Sequence, residues 1–274
     1  QKILVDLKNE VGTYLYNDKT PLDTQIDIEY KDVMRRWYPP TDKGVSDINV
    51  IPYGGRTYGR LQGIQWIVNM INTVSKFQDV VEAGPLIFSN KLGTVHKYSI
   101  AGTIFAVKST TDPAKYLEHI HEAYVCLKEI NKLVKKIPNF VYVYGAYRGD
   151  NKSYNVVTEY ISGMMFSDYI NSKQFNFEDF LFILLQLCLA LEIAQNSCGF
   201  VHWDLMPWNI IIQASDSLIE FDYLISYDKI YRLQTRLIPV IIDFGKSHVI
   251  HKQHHHGFID MYRSSTIQDV MMLL

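Results

Sequence analysis

Phe200-Val-His-Trp-Asp-Leu-Met-Pro-Trp-Asn-Ile-Ile-Ile212 is the stretch whose reading decides the fold. His202, Asp204 and Asn209 stand in it at H-x-D-L-x-P-x-N spacing, and three isoleucines follow. That pattern predicts a short polar loop feeding a buried strand. Taken alone, a histidine two residues from a carboxylate is most simply a turn with a solvated aspartate. A second stretch counts against that reading: Ile241-Ile-Asp-Phe-Gly245 is another apolar strand, and it ends in Asp-Phe-Gly.

These residue types in this order suit phosphoryl transfer. That chemistry asks a protein for a carboxylate to orient the attacking hydroxyl and for oxygen ligands that hold a metal ion on the phosphates. Asp204 fits the first task, and Asn209 with Asp243 fits the second. The two stretches resemble the protein-kinase motifs H-R-D-L-x-x-x-N and D-F-G. The resemblance implies an α+β, two-lobed protein-kinase-like fold, with an antiparallel β-rich small lobe and a mainly helical large lobe. It also implies ATP and Mg²⁺ as cofactors and a protein substrate.

The bulk numbers agree with a globular protein. The chain has 274 residues, 47% hydrophobic, enough for one large or two modest domains with a buried core. A formal charge of −2 and a pI near 6.5 give no global drive towards nucleic acid or an anionic membrane. Cys126, Cys188 and Cys198 lie in apolar or helical contexts without C-x-x-C spacing, so they read as reduced core thiols in an intracellular compartment. The most apolar segment, 180–194, is too short to span a bilayer and carries Gln186 and Glu192. A start at Gln1 and an end at Val270-Met-Met-Leu-Leu274 read as a piece of something longer.

Residues 1–84 match no part of the kinase pattern. They hold turn signals at Tyr38-Pro-Pro-Thr41 and Ile51-Pro-Tyr-Gly-Gly55, and one expected amphipathic helix over Leu61–Val81. That helix would pack on the small lobe or meet a partner surface. Residues 85–161 read as the small lobe and hinge. Three β runs come first, and Ala106-Val107-Lys108 resembles the V-A-I-K strand whose lysine contacts phosphates. Gly93 and Val95 fall on the end of the Gly-rich loop motif, but Phe88 and Asn90 stand where its first two glycines belong. A helix from about Pro113 to Lys136 follows, with Asp112 as its cap. The family needs a glutamate from this helix to hold Lys108; Glu122 is preferred, and Glu129 stays open. Val156 to Gly163 resembles the hinge, where Glu159, Tyr160 and Ile161 would meet adenine by main chain beside a small Thr158.

Residues 162–274 read as a partial large lobe. Phe177–Cys198 is expected as a long internal helix, apolar nearly all round, stopped by Gly199. An inserted hairpin is expected at about 213–237, turning at Tyr227-Asp228. With that insertion, residues 86 to 274 look similar to serine/threonine kinases of large cytoplasmic DNA viruses, the iridovirus and giant-virus group. The resemblance implies a site in the host cytoplasm or the virion, and virion or capsid proteins as partners of residues 1–84.

Several positions depart from the family. Trp203 replaces the arginine that commonly binds a phosphorylated activation loop, and Met206 stands where kinases use a lysine near the transferred phosphate. Lys246, just after Asp-Phe-Gly, is a candidate for the missing cation, against the plainer reading of a surface lysine. His251, His254, His255 and His256 crowd a segment expected to be mobile, and a metal site there lacks a second cluster. Ala-Pro-Glu is absent, and Ser264, Ser265 and Thr266 read as a helix cap. Asp269 resembles the aspartate that braces the catalytic loop, with the later large-lobe helices expected beyond Leu274. Two further readings follow: a kinase-fold scaffold with weak or no catalysis, and a small-molecule kinase, which shares H-x-D-x-x-x-x-N logic.

Overall fold

The computed structural model describes residues 82–90, 93–100, 103–134, 136–148, 153–226, 229–257 and 267–273. The expected helix at 61–81, the hairpin tip at 227–228 and the cap at 264–266 lie outside them. Five strands form one antiparallel sheet: β1 (Glu82–Asn90), β2 (Gly93–Ile100), β3 (Thr103–Thr110), β4 (Val143–Arg148) and β5 (Tyr154–Glu159). Their order is β1-β2-β3-β5-β4, which makes β3 the central strand. Its Phe105, Ala106 and Val107 are buried, and since successive side chains point to opposite faces, the strand is covered on both faces here. Phe88 lies inside β1 opposite Val95 in extended backbone, so the strand runs on where the family motif has glycine. Gly93 is needed for a different reason, since a Cβ there would meet the Ser109 carbonyl oxygen at 2.5 Å.

The helical run between β3 and β4 opens with a 3-10 turn at Pro113–Lys115, where the Asp112 carboxylate accepts the Ala114 N–H at 2.9 Å. It continues as α1 (Tyr116–Val125), widens to a π-turn at Cys126–Ile130, and ends as α2 (Asn131–Val134). The widened turn brings the buried Asn131 amide against β4. There it donates to the Val143 carbonyl at 2.8 Å and accepts the Val143 N–H at 3.0 Å. A π-turn inside a helix often marks a functional position, and this one contains Glu129, whereas Glu122 lies on α1 before it.

Beyond the hinge come the short β6 (Met164–Met165), α3 (Phe166–Ile170) and α4 (Phe177–Cys198). Asn176 caps α4 by accepting the Glu178 and Asp179 N–H groups, and Gly199 closes it in the left-handed region at φ 59°. The helix is not internal all round. Ile183, Leu187 and Ala190 are buried, but Phe177, Leu181, Leu185 and Cys188 are exposed. Cys188 is thus no core thiol, whereas Cys126 and Cys198 are buried and free.

After α4 the chain forms β7 (Ile210–Ser226) and β8 (Lys229–Ile241), then the small hairpin of β9 (Val249–His251) and β10 (His254–His256), and α5 (Ile267–Leu273). The expected insertion is the outer part of one ladder that runs from Ile210↔Ile241 to Ser226↔Lys229. Its inner end is buried through Ile210, Ile212, Val240 and Ile241, while Leu218, Leu224 and Ile230 of the outer end are exposed. With the sheet of the small lobe and the helices beyond the hinge, the chain has the α+β kinase-like fold expected of it, and this long ladder is added to the helices of the large lobe.

Candidate active site

Lys108 on β3 organises the site. Its Nζ donates to Glu122 Oε2 on α1 at 2.9 Å and to Asp243 Oδ1 after β8 at 2.6 Å. Burial pulls this ammonium down, but Asp243 and Glu122 more than reverse it and hold it above the ordinary lysine value. Burial likewise tends to raise Asp243, and Lys108 overcomes that, keeping its carboxyl at about 2. Glu122 moves the other way: burial pushes it up against the pull of Lys108. Glu129 lies elsewhere, bonded to Lys132 and to His251 Nδ1. Of the two glutamates left open by the sequence, Glu122 is the one that reaches Lys108.

The loop after α4 is held by its backbone. Asp269 on α5, fully buried, accepts the His202 N–H at 2.7 Å and the Trp203 N–H at 2.9 Å. His202 bonds Ile242 through Nε2 at 3.0 Å, while its Nδ1 faces the Asp204 N–H at 3.3 Å. The first contact requires Nε2 to carry the proton, which leaves Nδ1 as the acceptor. Trp203 (φ 64°) and Asp243 (φ 62°) both sit in the left-handed region, a conformation that a bulky residue keeps only where its surroundings enforce it. Phe244 is fully buried among Phe140, Phe200 and His202, with ring centroids 5.6 to 6.3 Å apart. That packing fixes the side from which Asp243 projects.

Asn209 is buried and its Nδ2 donates to the Asp204 carbonyl at 2.8 Å. With the nitrogen so engaged, Oδ1 is the atom left to act as a ligand. Asn209 Oδ1 and a carboxylate kept ionised at Asp243 are the hard oxygen donors that Mg²⁺ takes, with phosphates completing the shell. The donor set therefore fits the metal. Asp204 Oδ2 accepts from Lys246 Nζ at 2.9 Å.

Around the nucleotide positions, Val95 lies opposite Lys108 across the β2–β3 ladder, and Gly93 begins β2. Glu159 ends β5 with its N–H bonded to the Tyr142 carbonyl at 2.9 Å and its Oε1 accepting the Tyr142 N–H at 2.7 Å. The Glu159 N–H is thus committed to Tyr142, just before β4, which narrows its main-chain role to the carbonyl. Ile161 is buried two residues on.

The histidine segment differs from the mobile loop expected of it. His248 Nε2 meets His255 Nδ1 at 2.9 Å, His121 Nε2 meets the Ser247 carbonyl at 2.5 Å, and the His256 ring packs 4.9 Å from Tyr124. Among the described residues no group of three or more His, Cys, Asp or Glu could hold a metal. The cluster instead joins α1 to β9 and β10. Burial lowers His121 to about 4, below its ordinary 6.5. The unfolded chain therefore binds the extra proton between those values, so this stability is present above about pH 6.5 and drains as pH falls towards 4. Glu122 and Asp269 are raised, so their contributions carry the opposite sign, and a variant isolates the histidine. The parent is expected to lose several degrees more of melting temperature than His121→Gln between about pH 6.5 and about pH 4. Equal losses in both proteins would refute the assignment.

A lysine on the central strand of an antiparallel sheet, tied to a helix glutamate and to the aspartate of Asp-Phe-Gly, with an aspartate–asparagine loop beside them, defines a protein-kinase fold. The chain belongs to the protein kinase family: the family model for the protein kinase domain matches residues 90–267. Uncharacterized protein 179R of Invertebrate iridescent virus 6 is 36% identical over 214 residues, covering 69% of this chain and 18% of that protein. Uncharacterized protein 035R of Invertebrate iridescent virus 3 is 29% identical over 249 residues, covering 80% of this chain and 22% of that protein. Probable kinase 098L of the same virus is 32% identical over 161 residues, covering 58% of this chain and 30% of that protein. The chain thus spans less than a third of the length of each of these relatives.

Proposed function

We propose that this chain carries the ATP- and Mg²⁺-dependent phosphoryl-transfer centre of a viral protein kinase directed at serine or threonine hydroxyls. The observation that carries the reading is Lys108, held by Glu122 from α1 and by Asp243 from the end of β8, elements 14 and 135 residues away. In this reading Lys108 binds phosphates and Glu122 fixes Lys108. Gly93 and Val95 cover the nucleotide, while the main chain at Glu159 and Ile161 meets adenine. Asn209 and Asp243 hold Mg²⁺, which offsets phosphate charge when bound. Asp204 orients the substrate hydroxyl and takes its proton. The serine/threonine direction rests on the family resemblance, as do a location in host cytoplasm or virion and virion partners for residues 1–84.

Phe88, exposed in β1 where the family motif has glycine, favours a second reading as a kinase-fold scaffold. Melting with and without Mg-ATP separates the two. Saturation at a hundred times the dissociation constant stabilises a folded state that alone binds by about 2.7 kcal/mol. The kinase reading expects that rise together with labelled γ-phosphate on serine or threonine of an acceptor protein. No rise at millimolar Mg-ATP would favour the scaffold.

A further inference from the structure

We propose that Lys246 is the catalytic cation of the transfer step, acting on the γ-phosphoryl group from the turn after Asp-Phe-Gly, where Met206 leaves the catalytic loop without one. The proposal rests on the phosphoryl-transfer reading above. Charge balance motivates it first. Asp204 and Asp243 face the reaction, Lys108 is already shared between Glu122 and Asp243, and Lys115 is paired with Glu118 at 2.7 Å. An incoming phosphoryl group adds negative charge beside Asp204, and in a partly desolvated site the repulsion must be offset by a fixed cation.

Lys246 meets the geometric need. Its Nζ is 2.9 Å from Asp204 Oδ2, and its charge is felt by Asp204, Glu118 and Asp243. An ammonium has three donors, so one bond to Asp204 leaves two for phosphoryl oxygens. The main chain that carries it is fixed although the side chain is half exposed. Phe244 is buried before it, the Ser247 N–H and Oγ bond the Phe244 carbonyl at 3.0 and 2.8 Å, and His248 pairs with Val201 through two main-chain bonds. An ordinary exposed ion pair joins two mobile side chains and contributes little. Here the lysine backbone is pinned on both sides, and its partner is the carboxylate that the reaction uses.

In the step itself the hydroxyl oxygen bonds to the γ-phosphorus as the bond from that phosphorus to ADP breaks. ADP leaves with the electron pair of the broken bond, and the hydroxyl proton passes to Asp204. Lys246 keeps its proton throughout and stabilises the charge spread over the equatorial oxygens.

Lys246→Met in the full-length protein tests this, with dephosphorylated casein and water as acceptors and ADP release as the readout. The expected result is a kcat about a hundredfold lower, with Mg-ADP, which lacks the γ-phosphate, bound within about twofold of the parent. Lys246→Arg should retain most of the turnover. Adding Met206→Lys to Lys246→Met should recover at least about tenfold, because it returns an ammonium to the same phosphoryl group. A kcat for Lys246→Met within about threefold of the parent overturns the assignment, as does an equal loss of Mg-ADP binding. A parent protein that releases no ADP from Mg-ATP overturns the phosphoryl-transfer reading, and this proposal falls with it.

Discussion

Asp204→Asn is expected to lower turnover by about a thousandfold while leaving Mg-ADP affinity within about twofold. The substitution is nearly isosteric, and the bonds that shape the loop around it are made by the main chain. Asn209 Nδ2 bonds the Asp204 carbonyl, and the Asp204 N–H faces His202 Nδ1. What is removed is the charge: an amide cannot take the hydroxyl proton, and Lys246 loses its counter-ion. Single-turnover phosphate transfer reports the chemical step, calorimetry with Mg-ADP reports the intact nucleotide site, and the melting temperature should stay near that of the parent. An asparagine variant that transfers phosphate at the parental rate would sink the role given to Asp204.

Local spacing makes the catalytic-loop residues legible in the sequence and goes no further. Asp204 and Asn209 are five residues apart on one loop, and Asp243 sits at the end of a separate apolar run, so two short windows carry all three. The choice between Glu122 and Glu129 was closed to it. Helical periodicity offers both, and Glu129 lies within the π-turn at Cys126–Ile130, whose wider winding departs from that periodicity and leaves Glu129 against His251. The contact between Lys246 and Asp204 spans 42 residues and depends on how the buried Phe244 aims the following turn, which no local pattern encodes. Around α4 the periodicity misled for another reason. Hydrophobicity on every face says nothing about which face a neighbour covers, and Phe177, Leu181 and Leu185 remain exposed. The histidines after Gly245 looked like a polar, mobile segment because their partners, His121, Tyr124 and Glu129, lie on a helical run far earlier in the chain.

Asp269→Ala is expected to produce the largest stability effect in the described part of the chain. Its carboxylate is fully buried and serves two main-chain donors, the N–H groups of His202 and Trp203. Burial pushes this carboxyl up, against the downward pull of those N–H groups and of the His202 imidazole. Alanine would leave both donors buried without an acceptor, at about 1–3 kcal/mol each, a total of about 2–6 kcal/mol. That corresponds to a fall in melting temperature of about ten degrees. The effect also reaches the chemistry, because Trp203 holds a left-handed backbone at φ 64° that the Asp269 bond helps to enforce, directly before Asp204. Asp269→Asn keeps a carbonyl oxygen for one donor and should fall about halfway between parent and alanine. The pattern separates brace from base: Asp204→Asn loses rate at constant melting temperature, whereas Asp269→Ala loses both together. An alanine variant that melts within about a degree of the parent would show that α5 does not hold the loop, since two unsatisfied buried donors cannot be that cheap.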